Sequence, residues 1–124
     1  MSFRDEVEAM MSTYVVAYKI HDAAKCAAIY AEGATILSPF GPPITGRNAI
    51  QAEHQTWFEI PENNKRIDVI HCAATGNIGY CLLAYSADVT DPDGTKRQEA
   101  GTNLCAMERQ SGLWQIRYSS MNET

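Results

Sequence analysis

Positive charge is what this sequence lacks. Ten Lys and Arg against fifteen Asp and Glu leave the 124 residues with a formal charge of −5, the wrong sign for a surface that binds phosphates or anionic lipid, so neither nucleic acid nor membrane is expected as a partner. Long apolar runs are also missing: none approaches the ~20 residues that span a bilayer. The first residues, with Phe3, Arg4, Asp5 and Glu6, carry no apolar signal core, and a cytoplasmic location is the expectation. Cysteine is sparse and poorly spaced for metal. Cys26, Cys72, Cys81 and Cys105 form no C-x-x-C pair and no tight Cys/His cluster, so no metal site is expected. A Gly-rich phosphate loop, a G-x-S-x-G elbow and an H-E-x-x-H helix are absent too. Nucleotide-dependent and metal-dependent hydrolysis lose their usual signatures, and no cofactor is expected.

What remains is an ordinary globular composition, with 45% hydrophobic, 20% charged and 9% aromatic residues, enough for one domain over residues 1–124. Ser2 followed by Asp5 reads as a capping box, and Phe3, Val7, Met10, Tyr14 and Ala17 or Tyr18 recur at three- and four-residue steps. This is an amphipathic first helix ending around Ile20. Asp22 can cap a second, Ala-rich helix with Cys26, Ala27 and Tyr30 on one face, and Gly33 sits where a left-handed C-cap belongs. Ala34–Leu37 is a short β-like run, stopped by a turn or loop at Pro39, Gly41, Pro42 and Pro43. Thr45 then caps a third helix on which Ile50, His54 and Trp57 or Phe58 share a face until Pro61.

From Arg66 the period changes to two. Turn signals at Gly76-Asn77, Asp91-Pro92-Asp93-Gly94 and Ser111-Gly112 divide the rest into four antiparallel strands, roughly 65–75, 78–90, 95–109 and 113–121. Counting outward from Gly76-Asn77 pairs Cys72 with Cys81, although small buried thiols are expected there rather than a bridge. Helices first and a meander afterwards make an α+β fold, with three N-terminal helices on the concave face of a curved, mostly antiparallel sheet. Such a cone leaves a cleft between its layers.

The string YAEGATILSPFGPPITGRNAI, Tyr30 to Ile50, resembles the segment of nuclear transport factor 2-like proteins in which a helix leads into a strand and then a Gly-Arg-x-x-Ile helix start. The stretch AGTNLCAMERQSGLWQIRYSSMNE, Ala100 to Glu123, is similar to the last two strands of the SnoaL-like and kinase-association members of that superfamily. The resemblance implies the cone fold. The superfamily's functions range from ketosteroid isomerases, polyketide cyclases and scytalone dehydratase to the association domain of calcium/calmodulin-dependent kinase, so fold alone does not select a reaction.

Tyr14 resembles the first-helix tyrosine that donates to the enolate oxygen in the isomerase branch; a core tyrosine satisfied by a carbonyl is the other reading. The isomerase carboxylate before the proline is replaced by Ser38, which cannot abstract a carbon-bound proton at neutral pH. The second acidic position aligns with Asn103 or Leu104. His54 is either a core histidine or the general base nearest the cleft. On the last strand Trp114, Ile116, Tyr118 and Ser120 share one parity, which directs Tyr118 toward the cleft mouth. On the preceding strand periodicity does not choose a face, and the resemblance to the kinase-association domain places Glu99, Gly101 and Asn103 inward, although Glu99 reads first as a solvated strand-end carboxylate. The expected site is an apolar pocket lined by Tyr14, His54, Trp57, Asn103 and Tyr118, taking a small hydrophobic molecule. Its chemistry would be cofactor-free proton transfer next to a carbonyl, with Tyr14 and His54 catalytic; the alternative is a non-catalytic binding or assembly module. A homodimer through the exposed sheet face is expected.

Overall fold

The computed structural model describes all 124 residues. Helix α1, Phe3–Lys19, opens on a reciprocal cap in which Ser2 Oγ accepts from the Asp5 N–H at 3.1 Å and the Asp5 carboxylate accepts from the Ser2 N–H at 3.3 Å. Two otherwise orphaned donors are thereby satisfied. Its buried residues, Val7, Met11, Tyr14, Ala17 and Tyr18, fall at the spacing that one helix face requires. Asp22 caps the short α2, Ala23–Ala27, by accepting from the Lys25 N–H at 3.1 Å. No helix is long and apolar enough to cross a membrane.

Gly33 is not a C-cap: it lies inside β1, Tyr30–Ser38. The competing interaction is strand pairing, since the Ile116 N–H donates to the Ile29 carbonyl at 2.8 Å and Tyr30 sits opposite Ile116. The proline-rich stretch expected as a loop forms β2, Gly41–Thr45, antiparallel to β1. β2 is an edge strand, where Pro42 and Pro43 withhold no hydrogen bond that the sheet needs. Helix α3, Arg47–Trp57, starts at Gly46 with φ +98° and no side-chain cap. Thr45 is unavailable for capping because it pairs with Thr35 in the β1–β2 ladder, their hydroxyls 3.0 Å apart. Arg47 instead fixes the helix start by donating twice to the Tyr30 carbonyl, at 3.0 and 2.8 Å.

The meander consists of β3, Glu62–Thr75, β4, Ile78–Thr90, β5, Lys96–Gln110, and β6, Leu113–Glu123. The six strands form one sheet in the order β2-β1-β6-β5-β4-β3, antiparallel throughout except at β1–β6. The fold is α+β. Cys72 pairs with Cys81, as turn counting predicts, and Cys81 with Cys105; all four cysteines are free thiols. The core joins Val7 and Met11 of α1 to Ile50 of α3, Ile36 of β1, and Leu83, Met107, Trp114 and Ile116 of the meander. Each large aliphatic side chain there contributes about 1.5–3 kcal/mol by leaving water.

One irregularity decides which residues face that core. Met107 pairs with Ile116 but Ala106 pairs with Tyr118, so Arg117 is an extra residue on β6. Up to the bulge Trp114 and Ile116 are buried; beyond it the buried residue is Ser119. Tyr118, expected inward by parity, is therefore turned to the opposite face and is 53% exposed. Arg117 at the bulge donates to the Gly33 carbonyl, tying β6 to β1.

Gly101 is held by close approach rather than by a turn. A Cβ built there would lie 2.1 Å from the Asn122 carbonyl oxygen and 2.5 Å from the Tyr85 hydroxyl. Gly101→Ala is expected to lower the unfolding free energy by ~1–3 kcal/mol. Gly41→Ala, with open space around it, should stay within ~0.5 kcal/mol; urea unfolding of both variants checks the contrast.

Candidate functional site

Between the helices and the sheet lies a cavity of about 230 Å³. α1 contributes Met11, Tyr14 and Tyr18, the end of α3 contributes Trp57, and the sheet contributes Tyr30, Leu83, Asn103, Cys105 and Ile116. Its walls are therefore mostly aromatic and aliphatic, with few polar groups for orientation, as small-molecule sites usually are. Of the expected lining residues, Tyr14, Trp57 and Asn103 are at the cavity; His54 and Tyr118 are not.

His54 lies behind Tyr14. It is 0% exposed, and rings of Trp57, Tyr14, Tyr18 and Phe58 surround it with centroids 4.7–6.2 Å away. Its Nδ1 stands 2.8 Å from the Ile50 carbonyl oxygen and its Nε2 2.8 Å from the Tyr14 hydroxyl. A carbonyl can only accept, so Nδ1 carries the hydrogen, Nε2 offers a lone pair, and the Tyr14 hydroxyl donates to it. Burial lowers the imidazole to a pKa of about 4; the Ile50 hydrogen bond opposes that shift and the Lys65 charge adds to it. Burial also raises Tyr14 well above the ordinary phenol range, with Tyr30 the next contributor. At neutral pH this is a pair of uncharged groups, and His54 has no nitrogen left with which to take a proton from a ligand.

Asn103 is held from the side. Its Oδ1 accepts from the Ser119 hydroxyl at 2.7 Å and from the Cys105 thiol at 3.7 Å, which leaves its N–H groups for the cavity. Cys105 faces Cys81, whose thiol is raised by its contact with Cys105 and by burial. Ser119 is 1% exposed, and only the bulge at Arg117 brings it to this side of the sheet.

The charged groups at the cavity are paired. The Lys65 ammonium stands 3.0 Å from Glu62 Oε1 and 4.2 Å from the centre of the Tyr18 ring. The Glu62 oxygen is an ionic contact only, since no donor is directed at it. Arg97 reaches Asp91 at 2.9 Å and Glu99 at 3.5 Å. Tyr85 crosses over Gly101 and donates to the Asn122 carbonyl at 3.5 Å; burial pushes its phenol up to about 12, with Glu99 next. Sequence reasoning missed Glu62, Lys65, Tyr85 and Arg97. Arg97 shares a parity with Glu99 and Asn103, and counting from the Asp91–Gly94 turn places Tyr85 opposite Gly101, so two of the four had a usable signal. No cluster of three or more His, Cys, Asp or Glu is placed to hold a metal ion.

Comparison with known proteins agrees with this architecture. The model of the SnoaL-like domain matches residues 8–114. Among solved structures, a ketosteroid isomerase-like protein from Erwinia carotovora atroseptica is similar with a TM-score of 0.83 at 17% identity, over 96% of this chain and 94% of that one. Aln2 from a Streptomyces species gives 0.82 at 17% identity, over 97% and 89%. A nuclear transport factor 2-like superfamily protein from Salmonella enterica serovar Typhimurium gives 0.79 at 12% identity, over 96% and 89%. At these identities the likeness is one of fold. No curated protein matches.

The His54 pair makes stability depend on pH in a defined window. A histidine free in the unfolded chain titrates near ~6.5, whereas the folded one titrates at about 4. Between these values the unfolded state binds more protons, so the contribution is complete above pH ~6.5 and falls as pH drops toward ~4, by ~3 kcal/mol in all. Urea unfolding across that range is expected to show the decline in the native protein and a flatter profile in His54→Leu.

Proposed function

The chain belongs to the SnoaL-like domain family, and from that premise we propose that it binds a small, mostly apolar molecule in the hollow between α1, the end of α3 and the sheet. The observation that carries this reading is the cavity itself: about 230 Å³, walled by aromatic and aliphatic side chains, with Tyr14, Tyr18, Tyr30 and Asn103 among its polar groups. Burial of a ligand's apolar surface supplies affinity there, and these polar groups supply orientation. A cavity of this kind filled by a larger wall residue should lose its ligand. Tetralin, a bicyclic hydrocarbon, is expected to perturb the NMR signals of Leu83 and Ile116 in the native protein and to leave them unmoved in Ile67→Trp, where the added ring occupies the space.

Cofactor-free proton transfer next to a carbonyl is the second reading, favoured by one observation: the Glu99 carboxylate lies at the cavity beside Arg97. The name of the Erwinia neighbour points the same way. His54 is unsuited to be the base, being enclosed and fully hydrogen-bonded, and Ser38 uses its hydroxyl to accept from the Phe40 N–H at 3.1 Å. Glu99 is then the proton acceptor. On a substrate that the native protein turns over, Glu99→Gln is expected to lower kcat by roughly a hundredfold or more with little change in KM.

The sheet face turned away from the helices suits a second copy of the chain. Tyr80, Ala106 and Tyr118 stand side by side on it, as do Leu82, Leu104 and Ser120, and Leu104 and Tyr118 are about half exposed. A two-fold axis through such a face buries the same residues from both subunits. Light scattering at micromolar concentration is expected to give a dimer mass, and Leu104→Glu a monomer mass.

A further inference from the structure

We infer that, where a ligand oxygen meets Tyr14 and Asn103, the cavity favours a hydroxylated ligand, an alcohol or phenol, over the corresponding ketone, because Tyr14 can there only accept a hydrogen bond while Asn103 can only donate one. The inference rests on the cavity being a ligand site, as proposed above, and adds the polarity of that site.

Two buried contacts fix the polarity, and neither involves a ligand. The first is the carbonyl of Ile50, 2.8 Å from His54 Nδ1. Were Nδ1 bare, two lone pairs would face each other at hydrogen-bond distance in a region without water, so the hydrogen is committed to that nitrogen. Nε2 must then accept, and the only donor at hand is the Tyr14 hydroxyl at 2.8 Å. A tyrosine has one hydroxyl hydrogen, and this one points into the protein. To a ligand that reaches it, the Tyr14 hydroxyl can therefore offer only a lone pair; the Tyr18 and Tyr30 phenols, also at the cavity, are not committed in this way, so the polarity is local to Tyr14 and Asn103.

The second contact is that of Ser119 with Asn103 Oδ1 at 2.7 Å, reinforced by the Cys105 thiol. It occupies the acceptor end of the amide and leaves the Nδ2 hydrogens for a ligand. A ketone oxygen carries lone pairs only, so it satisfies Asn103 and is repelled at Tyr14. A hydroxyl can donate to Tyr14 and accept as well. An oxyanion fares worse than a ketone at Tyr14, which reverses the polarity that an enolate-stabilising tyrosine requires.

The test uses a matched alcohol and ketone on one bicyclic frame, β-tetralol and β-tetralone, with tetralin as the unsubstituted reference, each titrated calorimetrically into the full chain at neutral pH. β-Tetralol is expected to bind roughly three- to tenfold tighter than β-tetralone. In Tyr14→Phe the preference should vanish, and in His54→Phe, where the Tyr14 hydrogen is released toward the cavity, it should disappear or invert. NMR of the His54 ring nitrogens in the native protein should find the hydrogen on Nδ1, a reading that needs neither variant to fold. A hydrogen on Nε2, or equal or tighter binding of the ketone while tetralin binds, overturns the inference and leaves the cavity reading standing. Failure of all three compounds to bind removes the cavity reading and this inference with it.

Discussion

An imidazole sealed from water must satisfy both nitrogens within the protein, and the candidate site is arranged around that demand. His54 is 0% exposed, so the hydrogen bonds it makes are obligatory: an unpaired nitrogen there costs ~1–3 kcal/mol. One partner, the Ile50 carbonyl, belongs to the same helix and lies one turn back, which locks the ring before any tertiary contact is considered. The other, Tyr14, belongs to α1. The pair is thus a cross-brace between the first and third helices, holding the cavity's tyrosine in one orientation. The lowered pKa of His54 follows from the same enclosure, because a charged ring would need solvation that the surrounding aromatics cannot give.

The bulge at Arg117 governs the opposite wall. Strict alternation along β6 would direct Tyr118 and Ser120 toward the helices; the extra residue substitutes Ser119 and Met121. Ser119 is the group that orients Asn103, so a backbone irregularity on one strand determines the hydrogen-bonding character of a side chain on the next. The same shift moves a large aromatic onto the outer face, where Tyr118 joins Tyr80 and Leu104. One inserted residue therefore acts on both sides of the sheet at once.

These two features mark how far the sequence could be read. Helix α1, the meander turns, the Cys72–Cys81 register and the inward set of Tyr14, Trp57 and Asn103 all follow from periodicity, turn chemistry or family likeness, and the structure places them so; Glu99, which reads first as a solvated strand-end carboxylate, lies at the cavity instead. Each of those depends on local pattern or on counting. Gly33, Thr45 and the Pro42-Pro43 segment were misread because strand pairing with a distant or edge partner overrode a local signal. Tyr118 failed for a different reason, since nothing in Gln115–Ser120 announces a bulge and period-two reasoning cannot survive one. Spacing puts His54 on the inward face and leaves a core histidine and a cleft base both open; the structure makes it a core histidine, not a cavity-lining one. Spacing gives direction, whereas only packing shows that Tyr14 stands between the ring and the cavity.

Charge at the rim completes the physical picture. Glu62 is matched by Lys65, and Arg97 by Asp91 and Glu99, so the mouth carries four kinds of charged group with little field of one sign. The Arg97 pairs, partly exposed, contribute ~0–1 kcal/mol to stability, whereas the Glu62–Lys65 pair is largely enclosed and its attraction is offset by the desolvation of both charges. An anion or cation entering the cavity must lose its water and displace one member of an existing pair, while a neutral molecule needs to do neither. Paired charge beside a neutral, aromatic interior would thus favour an uncharged molecule in the proposed site.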